Sequence, residues 1–179
     1  MTTYIAMLRG INVGGHRVIR MEDLRATFDG LRFANVETYV QSGNVVFGDE
    51  HGSVSALSEK IERSILRDFG FSVSVLLRTA KELEEIIKHN PFLRDTAIDQ
   101  SKLHLTFLSD AAAKTAIEEL QLLAVKPEQC RIIGREVYLY CPNGYGRTRL
   151  SNAAIEKKLS MEATTRNWRT VNTLLAMTQ

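Results

Sequence analysis

Cys130-Arg131-Ile132-Ile133-Gly134-Arg135-Glu136-Val137-Tyr138-Leu139-Tyr140 reads as a β-hairpin. Two short runs of β-branched, aromatic and apolar residues flank a Gly134-Arg135 turn. In that register Cys130 opposes Leu139 and Cys141 opposes Glu128, so the chain's two cysteines do not face each other and are expected to be reduced thiols. Upstream, Leu103 to Leu108 alternates as a strand with Leu103, Leu105 and Phe107 on one side. A helix carrying Ala113, Ala116, Ile117 and Leu120 follows, with Ser109-Asp110 read as its acidic start. Downstream come a helix with Leu150, Ala154 and Leu159 on one face, a short strand over Glu162 to Thr165, and a helix lined by Trp168, Val171 and Leu175.

The same order stands in the first half. Tyr4 to Arg9 is a strand, and Met21, Leu24, Phe28 and Leu31 mark a helix with Glu22 and Asp23 in its first turn. A hairpin, Val36 to Gln41 and Asn44 to Phe47, turns at Ser42-Gly43. Val54, Leu57, Ile61 and Ile65 mark a second helix, Phe71 to Arg78 a strand, and a Thr79-to-Glu82 capping box opens a helix that Asn90-Pro91 stops. The pattern βαββαβα, twice, predicts an α+β fold: a tandem duplication of a ferredoxin-like βαββαβ unit, each followed by an extra helix. The expected halves are 1–90 and 102–179, with 91–101 as a linker.

Charge is uneven along the chain. Residues 131–179 hold eight Lys/Arg against three Asp/Glu, a difference of +5, while 1–130 hold fifteen against eighteen, a difference of −3. A modestly basic C-terminal region suits phosphates but falls short of a duplex-DNA binder. Two of these eight stand in Gly144-Tyr145-Gly146-Arg147-Thr148-Arg149-Leu150-Ser151-Asn152, where a glycine-punctuated loop runs into a helix. Thr148 reads as the N-cap, with Arg147 and Arg149 on either side, and Thr165-Arg166-Asn167-Trp168-Arg169 repeats the pattern at the last helix. A helix N-terminus carries about +0.5 charge, so cations there run against the dipole and point to an anion from outside.

Several stretches resemble one bacterial family: Leu8-Arg9-Gly10-Ile11-Asn12-Val13-Gly14-Gly15, Tyr39-Val40-Gln41-Ser42-Gly43-Asn44-Val45-Val46-Phe47, Asn90-Pro91-Phe92, Gly134-Arg135-Glu136-Val137-Tyr138-Leu139, Gly144-Tyr145-Gly146-Arg147-Thr148 and Ala163-Thr164-Thr165-Arg166-Asn167-Trp168. Together, in order and over nearly the whole chain, they identify it as similar to the domain of unknown function 1697 family. The resemblance implies a duplicated ferredoxin-like fold and implies no activity. Related sequences often have Ser and Lys where Thr148 and Arg149 stand here, so hydroxyl and charge are kept.

The candidate ligand-binding residues are Arg9, Asn12, Gly14, Gly15, Gln41, Ser42 and Asn44 in the first half, and Gly144, Tyr145, Gly146, Arg147, Thr148, Arg149, Asn152, Arg166 and Asn167 in the second. Gly14-Gly15 reads as a positive-φ turn and not as a phosphate-binding signature, because its spacing lacks the Lys-Ser/Thr of a P-loop. A two-residue hairpin loop would set Gln41 opposite Asn44, their amides sharing a face with Tyr39 and Val46, while Val40, Val45 and Phe47 take the core face. Tyr138 and Tyr140 would project away from the helices, beside His104 and Thr106, where sheets of this topology stack bases, although the RNP1 pattern is absent. The histidines lack metal-ligand spacing and no nucleophile elbow is present, so no metal or cofactor is expected. Tyr145 is the one acid/base candidate, its phenol acidified by Arg147 and Arg149.

Three functions follow. The leading expectation is binding of a phosphorylated ligand, a nucleotide or a short single-stranded nucleic acid. An enzyme acting on a small anionic metabolite, with Tyr145 as proton donor, is the second. A protein–protein adaptor using an exposed sheet face is the third. No apolar run reaches the roughly 18 residues a bilayer span needs, and Arg9 interrupts the only candidate leader, so a cytoplasmic protein is expected.

Overall fold

In the computed structural model, which describes Met1–Gln179, strands β1 (Thr2–Leu8), β2 (Ala34–Tyr39), β3 (Asn44–Asp49) and β4 (Val75–Thr79) form one sheet in the order β2-β3-β1-β4. β1 and β2 both run antiparallel to β3 between them, so they point the same way. Their link must cross over, and helix α1 (Met21–Gly30) makes that crossing. Helix α2 (Val54–Phe69) does the same between β3 and β4, the two neighbours of β1.

Period-two alternation puts Tyr4, Ala6, Leu8, Val45, Phe47, Val75 and Leu77 on the helix side. There they meet Leu24 and Phe28 of α1 and Leu57, Ile61 and Ile65 of α2, which are spaced four apart. Phe47 is the hub, its ring 4.4 Å from Phe33 and 5.4 Å from Phe28. Helix α3 (Ala80–Lys88) opens on the expected capping box: the Thr79 N–H donates to Glu82 Oε2 at 2.8 Å, and the Glu82 N–H donates to Thr79 Oγ1 at 3.1 Å.

The second sheet repeats this arrangement with β5 (Leu103–Leu108), β6 (Gln129–Ile133), β7 (Glu136–Tyr140) and β8 (Ala163–Asn167) in the order β6-β7-β5-β8. Helices α4 (Lys114–Gln121) and α5 (Asn152–Leu159) pack Leu120, Ile155 and Leu159 on Leu108, Val137, Leu139 and Ala163. Helix α6 (Trp168–Ala176) follows, as α3 does in the first half. The chain is thus α+β, with two four-stranded antiparallel sheets and six helices, compatible with a duplicated unit. Its compact units are Met1–Glu84 with Leu174–Gln179, and Glu85–Thr173. No helix is long and apolar enough to cross a membrane.

A repeat in the buried polar residues, not read in the sequence, supports the duplication. Arg78 of β4 and Arg166 of β8 stand at matching positions, the last but one of their strands. They are only 2% and 7% exposed, and each donates to the carbonyl just before it, Leu77 or Thr165, at 2.9 Å. Arg166 also donates to Thr164 Oγ1 at 2.7 Å, and burial lowers its pKa to about 10. It therefore does not open the last helix, as the sequence suggested. Asn167 does, its Oδ1 accepting the Thr170 N–H at 2.8 Å.

Four other expectations are corrected. The β2–β3 hairpin pairs Tyr39 with Asn44 across a four-residue loop, so Gln41 does not oppose Asn44. The Leu8 N–H donates to the Gly43 carbonyl at 2.8 Å and draws the loop toward β1. Val40 consequently turns out of the core, 47% exposed at φ 50. Helix α4 starts at Lys114 behind Ala113, with no acid in its first turn, so Ser109-Asp110 does not begin it. The β5–β7 register pairs Leu105 with Tyr138 and His104 with Leu139, which puts His104 on the face opposite the tyrosines. Tyr138 is 2% exposed and donates to the Ile86 carbonyl at 2.9 Å, while Tyr140 lies against Phe92 at 6.4 Å between ring centroids. Leu105 and Phe107 on that face are fully buried.

Cys130 and Cys141 are free and buried, and burial pushes their thiols up from 9.0 to about 12 and about 11. A folded pKa above the unfolded one stabilises the fold fully below about pH 9, and this contribution is lost as pH climbs through 11 to 12. A thiol reagent at pH 8 should label neither cysteine in the native protein and both in denaturant. Unfolding midpoints should fall between pH 9 and 11, and less so in Cys141→Ala. Fast native labelling at pH 8 would contradict the burial.

Candidate functional site

In the first unit the Asn12 and Asn44 side chains hold loops. Val13 and His16 bridge around Gly14 and Gly15, both at positive φ, as the sequence reading required. The Asn12 side chain closes the loop base, donating to the Ile19 and Gln41 carbonyls at 2.9 and 2.7 Å and accepting the Ile19 N–H at 2.8 Å. Asn44 is fully buried, donating to the Tyr39 carbonyl and to Ser42 Oγ, each at 3.0 Å. Arg9 follows β1, and its backbone N–H donates to the Ser74 carbonyl at 2.9 Å. The Asn12 and Asn44 amides are thus engaged by their own chain.

In the second unit the loop after β7 folds differently from the sequence reading. Gly144, at φ +92, turns the chain, and Tyr145–Arg147 form one 3-10 turn. The Gly144 N–H is taken by the Cys141 carbonyl at 2.9 Å, which removes it as an anion donor. Thr148 is not the N-cap of α5. That role falls to Ser151, whose Oγ accepts the Ala154 N–H at 3.3 Å. The Thr148 hydroxyl instead donates to Glu128 Oε2 at 3.0 Å and accepts the Leu150 N–H at 3.0 Å. Arg147 and Arg149 thus precede the helix and do not enter its first turn, so the dipole argument for placing them fails.

They converge for another reason. Arg147, Arg149, Lys126 and Glu128 line one depression of about 280 Å³, reached also by Asn143 and Val125. Thr148 clamps Glu128, and with it the 126–128 segment, beside the loop. The three cations are exposed and none is in an ion pair within the protein. With the one carboxylate they leave a formal excess of 3 − 1 = +2 in a small concavity. Helix dipoles do not account for the positive charge of this depression; the juxtaposed cations do.

Tyr145 is not part of it. Its ring stacks on His104 at 4.7 Å, and its hydroxyl is buried beside Thr165 and the Asn152 backbone without completing a hydrogen bond. Burial raises the phenol's pKa, so the arginines do not acidify it. His104 is lowered by burial, and its Nδ1 also lacks a partner. Asn152 donates to the Ala163 carbonyl at 2.9 Å and accepts from Thr165 at 3.0 Å, so it ties α5 to β8. Of the second-half candidates, only Arg147 and Arg149 share the depression; Arg166, Asn167, Asn152 and Tyr145 lie outside its lining. No group of three or more His, Cys, Asp or Glu is arranged to hold a metal ion.

Lys126 and Glu128 were missed in the sequence. The signal was present: a register that sets Cys141 opposite Glu128 brings 126–128 alongside the chain entering Gly144.

A family model described as Protein of unknown function (DUF1697) matches residues 1–138, more than three quarters of the chain. The chain belongs to the DUF1697 family. No curated protein matches it. Among solved structures, this DUF1697 chain is similar to the conserved bacterial protein SP0830 from Streptococcus pneumoniae, at 23% identity and a TM-score of 0.79, covering 99% of each chain. That likeness concerns the fold. The family match takes in Lys126 and Glu128 and ends before Arg147 and Arg149.

Proposed function

We propose that this DUF1697 protein is a tandem pair of ferredoxin-like units whose second unit binds a phosphorylated ligand at Lys126, Arg147 and Arg149. Strand orders β2-β3-β1-β4 and β6-β7-β5-β8, with crossover helices on one face, support the ferredoxin-like reading. The observation that carries the ligand reading is the convergence of three unpaired cations, from two separate segments, on one concavity. A guanidinium binds phosphate through two parallel N–H donors, and two of them with an ammonium suit a dianion. Two free, protonated thiols agree with a cytoplasmic protein.

Calorimetric titration with inorganic phosphate, pyrophosphate and nucleotides tests the proposal. Binding should weaken steadily as salt rises from 20 to 300 mM (about these limits), because exposed charges are screened within ~10 Å at 0.1 M. Arg147→Ala should weaken it by about tenfold, the effect of one charge-assisted hydrogen bond. No binding of any of these anions at low salt would remove the reading.

A further inference from the structure

A second depression, of about 570 Å³, adjoins the cation cleft and shares Lys126 and Glu128 with it. It lies between the end of α4 and β6, with Gln121 on one rim, Arg131 on the other, and Ala124, Pro127 and Cys130 giving it apolar lining. β6 is an edge strand, so one side of its backbone has no strand partner and can bond a ligand. Between the two depressions stands Glu128, only 9% exposed. Its Oε2 takes the Thr148 hydroxyl, and no group of the protein bonds Oε1.

Resting on the anion site proposed above, we infer that the ligand is a single nucleoside monophosphate. Its phosphate lies on Lys126, Arg147 and Arg149, a ribose hydroxyl donates to Glu128, and its base occupies the depression beside β6. Three features select this class. A buried carboxylate beside an anion site repels a bare phosphate, but it is matched by a ligand that carries a hydroxyl donor next to its phosphate. The second depression has the size and partly apolar lining of a small-molecule site, which typically spans ~300–1,000 Å³. Neither depression is lined by an aromatic side chain, so the stacking platform that a single strand needs is missing there.

Four probes titrated into the full chain test this: inorganic phosphate, ribose 5-phosphate, the four nucleoside monophosphates, and a short oligonucleotide. Ribose 5-phosphate should bind tighter than phosphate, and at least one monophosphate about tenfold tighter again, as one hydrogen bond with partial ring burial provides. Glu128→Gln should remove the advantage of both sugar-bearing ligands without weakening phosphate. Gln121→Trp, at an exposed rim position, should bring the monophosphates down to the level of ribose 5-phosphate. Monophosphates binding no better than ribose 5-phosphate would overturn the base pocket and leave a sugar-phosphate site. Phosphate binding as tightly as all of them would overturn the inference while the anion site stands. Oligonucleotide binding tighter than any monophosphate would overturn it in favour of a single strand, and silence from every probe would remove the anion site as well.

Discussion

Gly43→Ala is expected to cost the first unit about 2–4 kcal/mol, combining backbone strain at positive φ with overpacking of a filled core. Gly43 sits at φ +75, and a Cβ there would stand 2.6 Å from Ile11 Cδ1 and 2.9 Å from Leu8 Cβ. Neither neighbour has room to retreat: Leu8 is fully buried and Ile11 is 2% exposed. Moving the loop would break the bond from the Leu8 N–H to the Gly43 carbonyl. Gly15→Ala separates the two causes. Gly15 has the same φ, +75, but nothing lies within 4 Å of its added Cβ. It should therefore cost only about 1 kcal/mol, the strain alone. Denaturant unfolding of both variants reads the difference; equal losses would mean that the packing around Gly43 is looser than described. Stability totals of about 5–15 kcal/mol make the larger loss a sizeable fraction of the whole.

The same glycine shows where sequence reasoning stopped. A hairpin between β2 and β3 was legible because alternating apolar residues surround Ser42-Gly43. Its loop length was not, because a hydrogen bond from Leu8, 35 positions earlier, chooses four residues over two. The hairpin at Gly134-Arg135 met no such competitor, and its register, Cys130 on Leu139, is as read. Helix starts divided in the same manner. Thr79 with Glu82 is a local device, visible in four residues. Thr148 and Ser151 are equally good N-caps by residue type, and Glu128, far off in sequence, decides between them by engaging Thr148. Arg166 reads as a helix-opening cation until Asn167 is seen to cap α6. The site suffered most, since two of its four charged residues lie before the hairpin and join Arg147 and Arg149 only in three dimensions.

Reversing both cleft arginines, Arg147→Glu with Arg149→Glu, is expected to lower affinity for phosphate-bearing ligands by at least about a hundredfold, since each lost cation contact is worth roughly tenfold. The formal charge of the cleft would pass from 3 − 1 = +2 to 1 − 3 = −2, with only Lys126 left to attract. Stability should change by no more than about 0.5 kcal/mol, because exposed side chains away from the core contribute little to it. A charge-matched control excludes a general field effect. Lys157→Glu with Arg169→Glu shifts net charge equally, and both residues are exposed and line neither the cation cleft nor the depression beside it. If the ligand senses only the overall field, both double variants lose affinity alike and both losses vanish at high salt. If it sits in the cleft, the first pair abolishes binding and the control keeps most of it. Since no helix dipole holds these arginines in place, the whole effect rests on their side chains, and Arg147→Lys should recover only part of it by keeping the charge without the paired N–H donors.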